Sequence, residues 1–287
     1  MQAPSELVAK ISSMMGGMGE GPLLVHSDLL RAGLPSSRPR GRQDLLIAHW
    51  RTISEISIER SVWMHAFNYD FPHNGIHNVA RDSSQVGPFT EYFRTHIAEW
   101  RTATPIFSFS GTGHPPPEDS SSEIDPFGVK SVYNHLIETD AVDLSYGASN
   151  SSSNIIHYAE RQSGGPLYRY DKVFPGKVIF PDGSTKAVKL LYHVRPWEMG
   201  LEYDHSRMLA DLVDAGVCDV WMPGPLQFIA ASARLLVKFW TERLAEDSLY
   251  MLDQPTRRWV EPMLDKLGRR FELEDFEGPV ITSVAKG

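Results

Sequence analysis

Short apolar runs alternate with helix-spaced segments through the first 160 residues, and this alternation constrains the fold more than any other feature of the 287-residue chain. "PLLVHSDLL", "SVWMHAFNYDF", "ATPIFSFSGTG" and "AVDLSYG" read as buried strands. "RQDLLIAHWRTISEIS", "GPFTEYFRTHIAEW", "KSVYNHLIETD" and "NIIHYAERQSG" carry the spacing of helices, and "SELVAKISSMM" predicts a further short helix opened by Ser5. Strands that return through helices pair in parallel, so the chain is expected to be α/β, with a mixed, largely parallel central sheet flanked by helices. From 168 to 195 the texture changes to an antiparallel β-meander insertion, in which "PDGS" marks a hairpin turn. The remainder, from "SRMLADLVDAG", is mostly helical, with short strands expected near "CDVWMPG" and "FELEDF". We read residues 1–287 as one domain, an α/β part to about 165 followed by the meander and a helical part from about 166.

Composition narrows the function. At 41% hydrophobic and 22% charged the chain is globular in character, and a formal charge of −8 without a basic tract argues against nucleic acid as a partner. The single cysteine, Cys218, precludes an internal disulfide and a CxxC metal site and fits a reducing compartment. Because "AGVCDVW" is apolar, Cys218 reads as a small core residue rather than a nucleophile. No run approaches the roughly 20 apolar residues that cross a bilayer, and the N-terminus lacks a signal-peptide segment, so the expected location is cytoplasmic, away from membranes.

In an α/β sheet, ligands bind beyond the carboxyl ends of the strands. Three polar segments fall at such ends, "HSD" (26–28), "FNYD" (67–70) and "SYGASNSSSN" (145–154), and they suggest one shared cleft. The familiar signatures are missing: no GxSxG elbow, no GxxxxGK[ST] loop and no GxGxxG after a strand. His73 and His77 form an HxxxH pair, but "PHNGIH" is a poor helix and the pair reads as loop polarity rather than a metal site. "DSSQVGPFTEYFR" offers free N–H groups at a helix start, either capped by Ser84 or open to a pyrophosphate. In "SNIIHYAE", His157 lies one turn before Glu160, on the same helix face. Taken alone, His157 reads equally as a capping or core histidine, and Glu160 as a first-turn glutamate that complements the helix dipole.

Four segments in register resemble one family. "GPLLVHSDLLRAG" is similar to its strand ending in His-Ser-Ser-Leu, and "SSQVGPFTEYFR" to its Ser-x-Met-Gly-x-Leu-x-Glu-x-Phe-Arg helix start. "RTATPIFSFSGTG" resembles Arg-Ser-x-His-Pro-x-x-Ser, and "IIHYAE" resembles His-Leu/Tyr-Ala-Glu. The family is that of the aminoglycoside 3-N-acetyltransferases, or antibiotic N-acetyltransferases, whose fold differs from the commoner GNAT acetyltransferases. The likeness covers nearly the whole chain, including the closing "MPGPLQFIAASARLLVKFW".

The resemblance implies an acetyl-CoA-dependent transferase that acylates a primary amine of an aminoglycoside, amino sugar or similar small molecule, without a metal. It makes His157 the general base, with Glu160 orienting the ring or binding the ammonium. It makes His26, Ser27, Asp28, Ser84, Val86, Gly87 and Ser108 cofactor contacts, and loops that vary within the family suggest Asn68, Asp70, Tyr203 and Asp204 for the substrate. The chemistry is consistent with that assignment: an alkylammonium with a pKa near 10 must lose a proton before it attacks a thioester, and an imidazole can accept it. Asp28 stands where the family has a second serine, and Thr102 and Thr104 where it has serine and histidine, so the amine stays open. Three alternatives remain: a non-catalytic relative that binds CoA or a sugar, a biosynthetic amino-sugar acyltransferase, and an unrelated hydrolase using His157. The sequence leaves a homodimer open.

Overall fold

A computed structural model of the chain describes residues 4–33, 39–149 and 153–278. In order they form α1 (Pro4–Met14), β1 (Leu23–Ser27), α2 (Leu29–Ala32), α3 (Arg42–Ser57), β2 (Val62–His65), α4 (Phe71–Asn74) and β3 (Ile76–Asn78). Then come α5 (Pro88–His96), β4 (Trp100–Arg101), β5 (Phe109–Gly111), β6 (Glu123–Ile124), α6 (Val132–Glu138), β7 (Val142–Tyr146) and α7 (Ile155–Gln162). The last part comprises β8 (Tyr170–Ile179), β9 (Thr185–Val194), α8 (His205–Asp214), β10 (Cys218–Trp221), β11 (Phe228–Ser232), α9 (Ala233–Glu246), α10 (Gln254–Leu267) and α11 (Glu274–Glu277).

The main sheet has seven strands in the order β10-β11-β7-β1-β2-β5-β4. It is mixed, as expected, but its parallel part is confined to β7-β1-β2, the strands that return through helices. The flanks pair antiparallel. Every residue of β2, β7 and β11 is buried, including Asp143 and Ser145 of β7, because these strands are covered on both faces. The strand β11 is a correction, because "QFIAAS" was read within the closing helices. A five-residue apolar run beside a helix carries no period that separates the two. The expected strand at "FELEDF" is instead the helical turn α11.

The meander is a long hairpin, β8–β9, paired from Tyr170↔Val194 to Ile179↔Thr185. It forms a second sheet with the short strands β3 and β6, in the order β3-β8-β9-β6. Those two edges lie in segments that the sequence read as loops. Two apolar clusters fill the molecule, one between the main sheet and α1, α3 and α5, the other joining the opposite face to α6, α7, α9 and the hairpin sheet. No described helix is long and apolar enough to cross a membrane.

Candidate active site

The carboxyl ends of β1, β2 and β7 share one edge of the sheet, because these three strands run parallel. The three polar segments expected to share a cleft lead away from that edge; residues 150–152 lie outside the described set. Here α7 begins, and its i,i+3 spacing brings His157 and Glu160 together: Nδ1 of His157 lies 2.8 Å from Oε2 of Glu160. The Glu160 carboxylate is completely buried, while the His157 side chain keeps 14% of its surface exposed. An ionised carboxylate only accepts, so the imidazole carries its proton on Nδ1 and keeps Nε2 as its basic nitrogen.

A buried carboxylate needs compensation, and Glu160 receives it from the segment 168–203. Tyr168 donates its hydroxyl to Oε1 at 2.8 Å, and Tyr203 donates to the same oxygen. Arg169 approaches Oε2 with Nε at 3.6 Å and donates to the Tyr203 oxygen from Nε and Nη2, at 3.0 and 2.7 Å. On β9, His193 places Nε2 3.4 Å from Oε2. Phe127 completes the wall, its ring centroid 5.4 Å from that of His157 and 5.3 Å from that of His193.

The protonation states follow from this surround. Burial first, and then the Arg169 charge, lower the His157 pKa to about 4 against the opposing pull of Glu160, so at neutral pH the imidazole is a free base. Burial would raise the Glu160 carboxyl, but Arg169 and the two histidines outweigh it and hold the group well below the usual carboxylate range. Burial also pushes both tyrosine hydroxyls well above 10, so they remain donors. Nδ1 of His157, Oε2 of Glu160 and Nε2 of His193 lie within 4.8 Å of one another, a spacing a metal ion could use. The Arg169 guanidinium on the same oxygen already supplies the positive charge there.

The chain matches the family model described as aminoglycoside 3-N-acetyltransferase over residues 46–245, a span that contains every group of this cluster. It belongs to that family. Within the family it is a CoA-dependent acetyltransferase with acetyl-CoA as co-substrate. The fold agrees. "AAC-IIIb binary with CoASH" superimposes with a TM-score of 0.67 at 15% identity, covering 85% of this chain and 97% of that one. Aminoglycoside acetyltransferase AAC(3)-Xa gives 0.67 at 14% identity over 85% and 93%, and the YokD protein from Bacillus subtilis gives 0.63 at 14% over 86% and 95%. No curated protein matches the chain by sequence.

Among the other residues that family likeness singled out, Tyr203 belongs to the cluster as a partner of the carboxylate. Most of the rest serve the scaffold. His26 is buried and its Nε2 lies 3.1 Å from Asp143 Oδ2, which also accepts from Ser153 Oγ at 2.7 Å; this ties β1 and β7 to the start of α7. Asp28 caps α2 by accepting from the Leu30 N–H at 3.0 Å, and Asp204 caps α8 by accepting from the Arg207 N–H at 3.0 Å. Ser108 is completely buried and donates to the Ala66 carbonyl at 2.8 Å, which removes its hydroxyl from a cofactor's reach. Asn68 is buried and donates to the Ser83 carbonyl, and Asp70 accepts from Gln85. Ser84 bonds Thr90 through its hydroxyl, and its N–H donates to Glu91. Ser27 is half-buried at the strand end, and Val86 and Gly87 precede α5, where Gly87 adopts φ 128° with open space on its Cβ side.

Sequence reading missed Arg169, Tyr168, His193 and Phe127. For Arg169 a signal existed: a cation between two tyrosines at the head of a strand whose neighbours are buried.

Proposed function

We propose that the chain transfers the acetyl group of acetyl-CoA to a primary amine of an aminoglycoside or related amino sugar, with His157 as general base. The observation that carries the reading is the Glu160–His157 pair, an oriented imidazole kept neutral by burial and backed by a buried anion. Among proteins of the same fold, one solved structure contains a histidine-to-alanine variant of AAC(3)-IVa with apramycin, and another AAC-VIa bound to sisomicin.

The Nε2 lone pair takes a proton from the attacking nitrogen as that nitrogen bonds to the thioester carbonyl carbon. Glu160 stabilises the imidazolium that forms, as the aspartate does in a Ser-His-Asp triad. When the C–S bond breaks, the imidazolium proton goes to the departing sulfur, leaving an N-acetyl amine and CoA thiol. No acyl-enzyme is required. Cys218 supports this, since burial, helped by Asp219, raises its thiol to about 11 and keeps it protonated. Acetyl-CoA would lie along the strand-end edge, with Ser27 at the end of β1 and the Val86–Gly87 backbone before α5 available to its phosphates.

Thiol release measured with acetyl-CoA and a panel of amines tests the reading. His157→Ala should lose roughly a thousandfold in turnover while retaining the rise in melting temperature that acetyl-CoA confers on the wild type. A variant with wild-type turnover would remove His157 from the chemistry.

A further inference from the structure

Both ends of one short surface segment are rooted beside His157. His193, at its start, has its ring centroid 5.7 Å from that of His157, and Tyr203, at its end, lies at 6.3 Å. Between them run residues 194–202, with one 3-10 turn at Trp197–Met199.

The segment is pinned from beneath. Arg195 Nη1 donates to the Leu201 carbonyl at 3.2 Å, the Glu202 N–H donates to Thr256 Oγ1 at 3.0 Å, and Leu201 is buried. Trp197 is nevertheless 78% exposed, with the Arg195 guanidinium 5.0 Å over its ring. An indole left this exposed on a segment tied down by these bonds offers a flat aromatic face that a ligand can cover. Trp197 is four residues from His193, so the backbone limits it to within about 13 Å of that residue, a reach of one or two sugar rings.

Charge selects between the two substrates. Glu198 follows Trp197 directly and Glu202 lies five residues on, where Arg195 pairs with it at 3.5 Å. A polyphosphate would be repelled, whereas ammonium groups would be drawn to the carboxylates and to the indole face that Arg195 leaves open. The segment also meets His157 from the hairpin sheet, whereas β1 and α5, the elements assigned to acetyl-CoA, belong to the main-sheet side.

We propose that residues 195–202 form the acceptor platform of the acetyl transfer proposed above. An amino-sugar ring lies on the open face of Trp197, its ammonium groups toward Glu198 and Glu202, and the nitrogen to be acetylated points at His157.

Thiol-release kinetics of Trp197→Ala and Trp197→Phe, with sisomicin, gentamicin and apramycin as probes, test this. For Trp197→Ala the amine KM should rise roughly fivefold to tenfold, with kcat and the acetyl-CoA KM within twofold of wild type, and Trp197→Phe should recover most of the loss. An unchanged amine KM, or a rise confined to the acetyl-CoA KM, would overturn the platform while leaving the acetyl-transfer reading intact. Absence of turnover by the wild-type chain with all three amines would overturn both. The exposed position of Trp197 makes a folding defect no part of the expected result.

Discussion

Replacing Arg169 with glutamine should move the acid limb of the activity profile upward. His157 Nδ1 and Arg169 Nε sit on the same carboxylate oxygen, at 2.8 and 3.6 Å, so at most about 6 Å separates them. At an effective dielectric constant near 20, a unit charge at that distance is worth roughly 2.8 kcal/mol, or about two pKa units. Water entering the vacated space screens part of this, so the expected movement is about one to two units. The base must be neutral to accept a proton, so the low-pH limb of kcat/KM follows the His157 pKa. In the wild type that limb lies at about 4. In Arg169→Gln it should appear between roughly 5 and 6. The variant also takes the guanidinium away from the buried Glu160 carboxylate, at a cost of about 3–5 kcal/mol in folding, so thermal denaturation should accompany the kinetics. Arg169→Lys is the control: it keeps the charge but loses the fork that serves both Tyr203 and Glu160. It should lower kcat with the limb still near 4. A folded Arg169→Gln enzyme whose limb remains at about 4 would refute the electrostatic account.

Two further outcomes follow from burial and backbone geometry. Burial lowers His49 to about 4, as it does His157, and His65, His77 and His193 are lowered as well. Unfolded imidazoles near 6.5 bind protons that the native ones refuse, so stability is complete above that pH and falls as the pH drops toward 4. His49 and His157 should each contribute up to about 1.4 kcal/mol per pH unit. Glu160 does not offset this, since its depressed pKa costs stability only below the ordinary carboxylate range. Urea midpoints between pH 7.5 and 4.5 measure the effect, and a midpoint that holds or rises on acidification would contradict it. Gly147→Ala, at φ 78°, would place a Cβ 2.0 Å from the Asp28 carbonyl oxygen and 2.5 Å from the Ala32 nitrogen. It should destabilise the protein by about 3 kcal/mol, read by thermal unfolding; a melting temperature equal to that of the wild type would count against this close approach of Gly147 to the backbone of Asp28 and Ala32.

The parts of the molecule legible in the sequence were those with a local cause. The strands β1, β2 and β7, with the helices that follow them, stood out as apolar runs beside 3.6-residue periods, and the hairpin turn was fixed by "PDGS". His157 and Glu160 could be paired because three residues on one helix already dictate contact. Arg169 and His193 could not, since they reach Glu160 from the turn before β8 and from β9, and no spacing encodes that approach. Asp28 and Asp204 show a role that the sequence reading did not give them, since each caps the helix that follows it.

The carboxylate that steadies the base is contributed by α7, which follows the main sheet, yet the tyrosines, the arginine and the second histidine around it all come later in the chain. A partly synthesised or partly folded molecule therefore holds the reacting imidazole beside an anion with no neutralising surround. Burial of that anion is tied to completed assembly, since the charge on α7 is neutralised by groups that lie later in the chain.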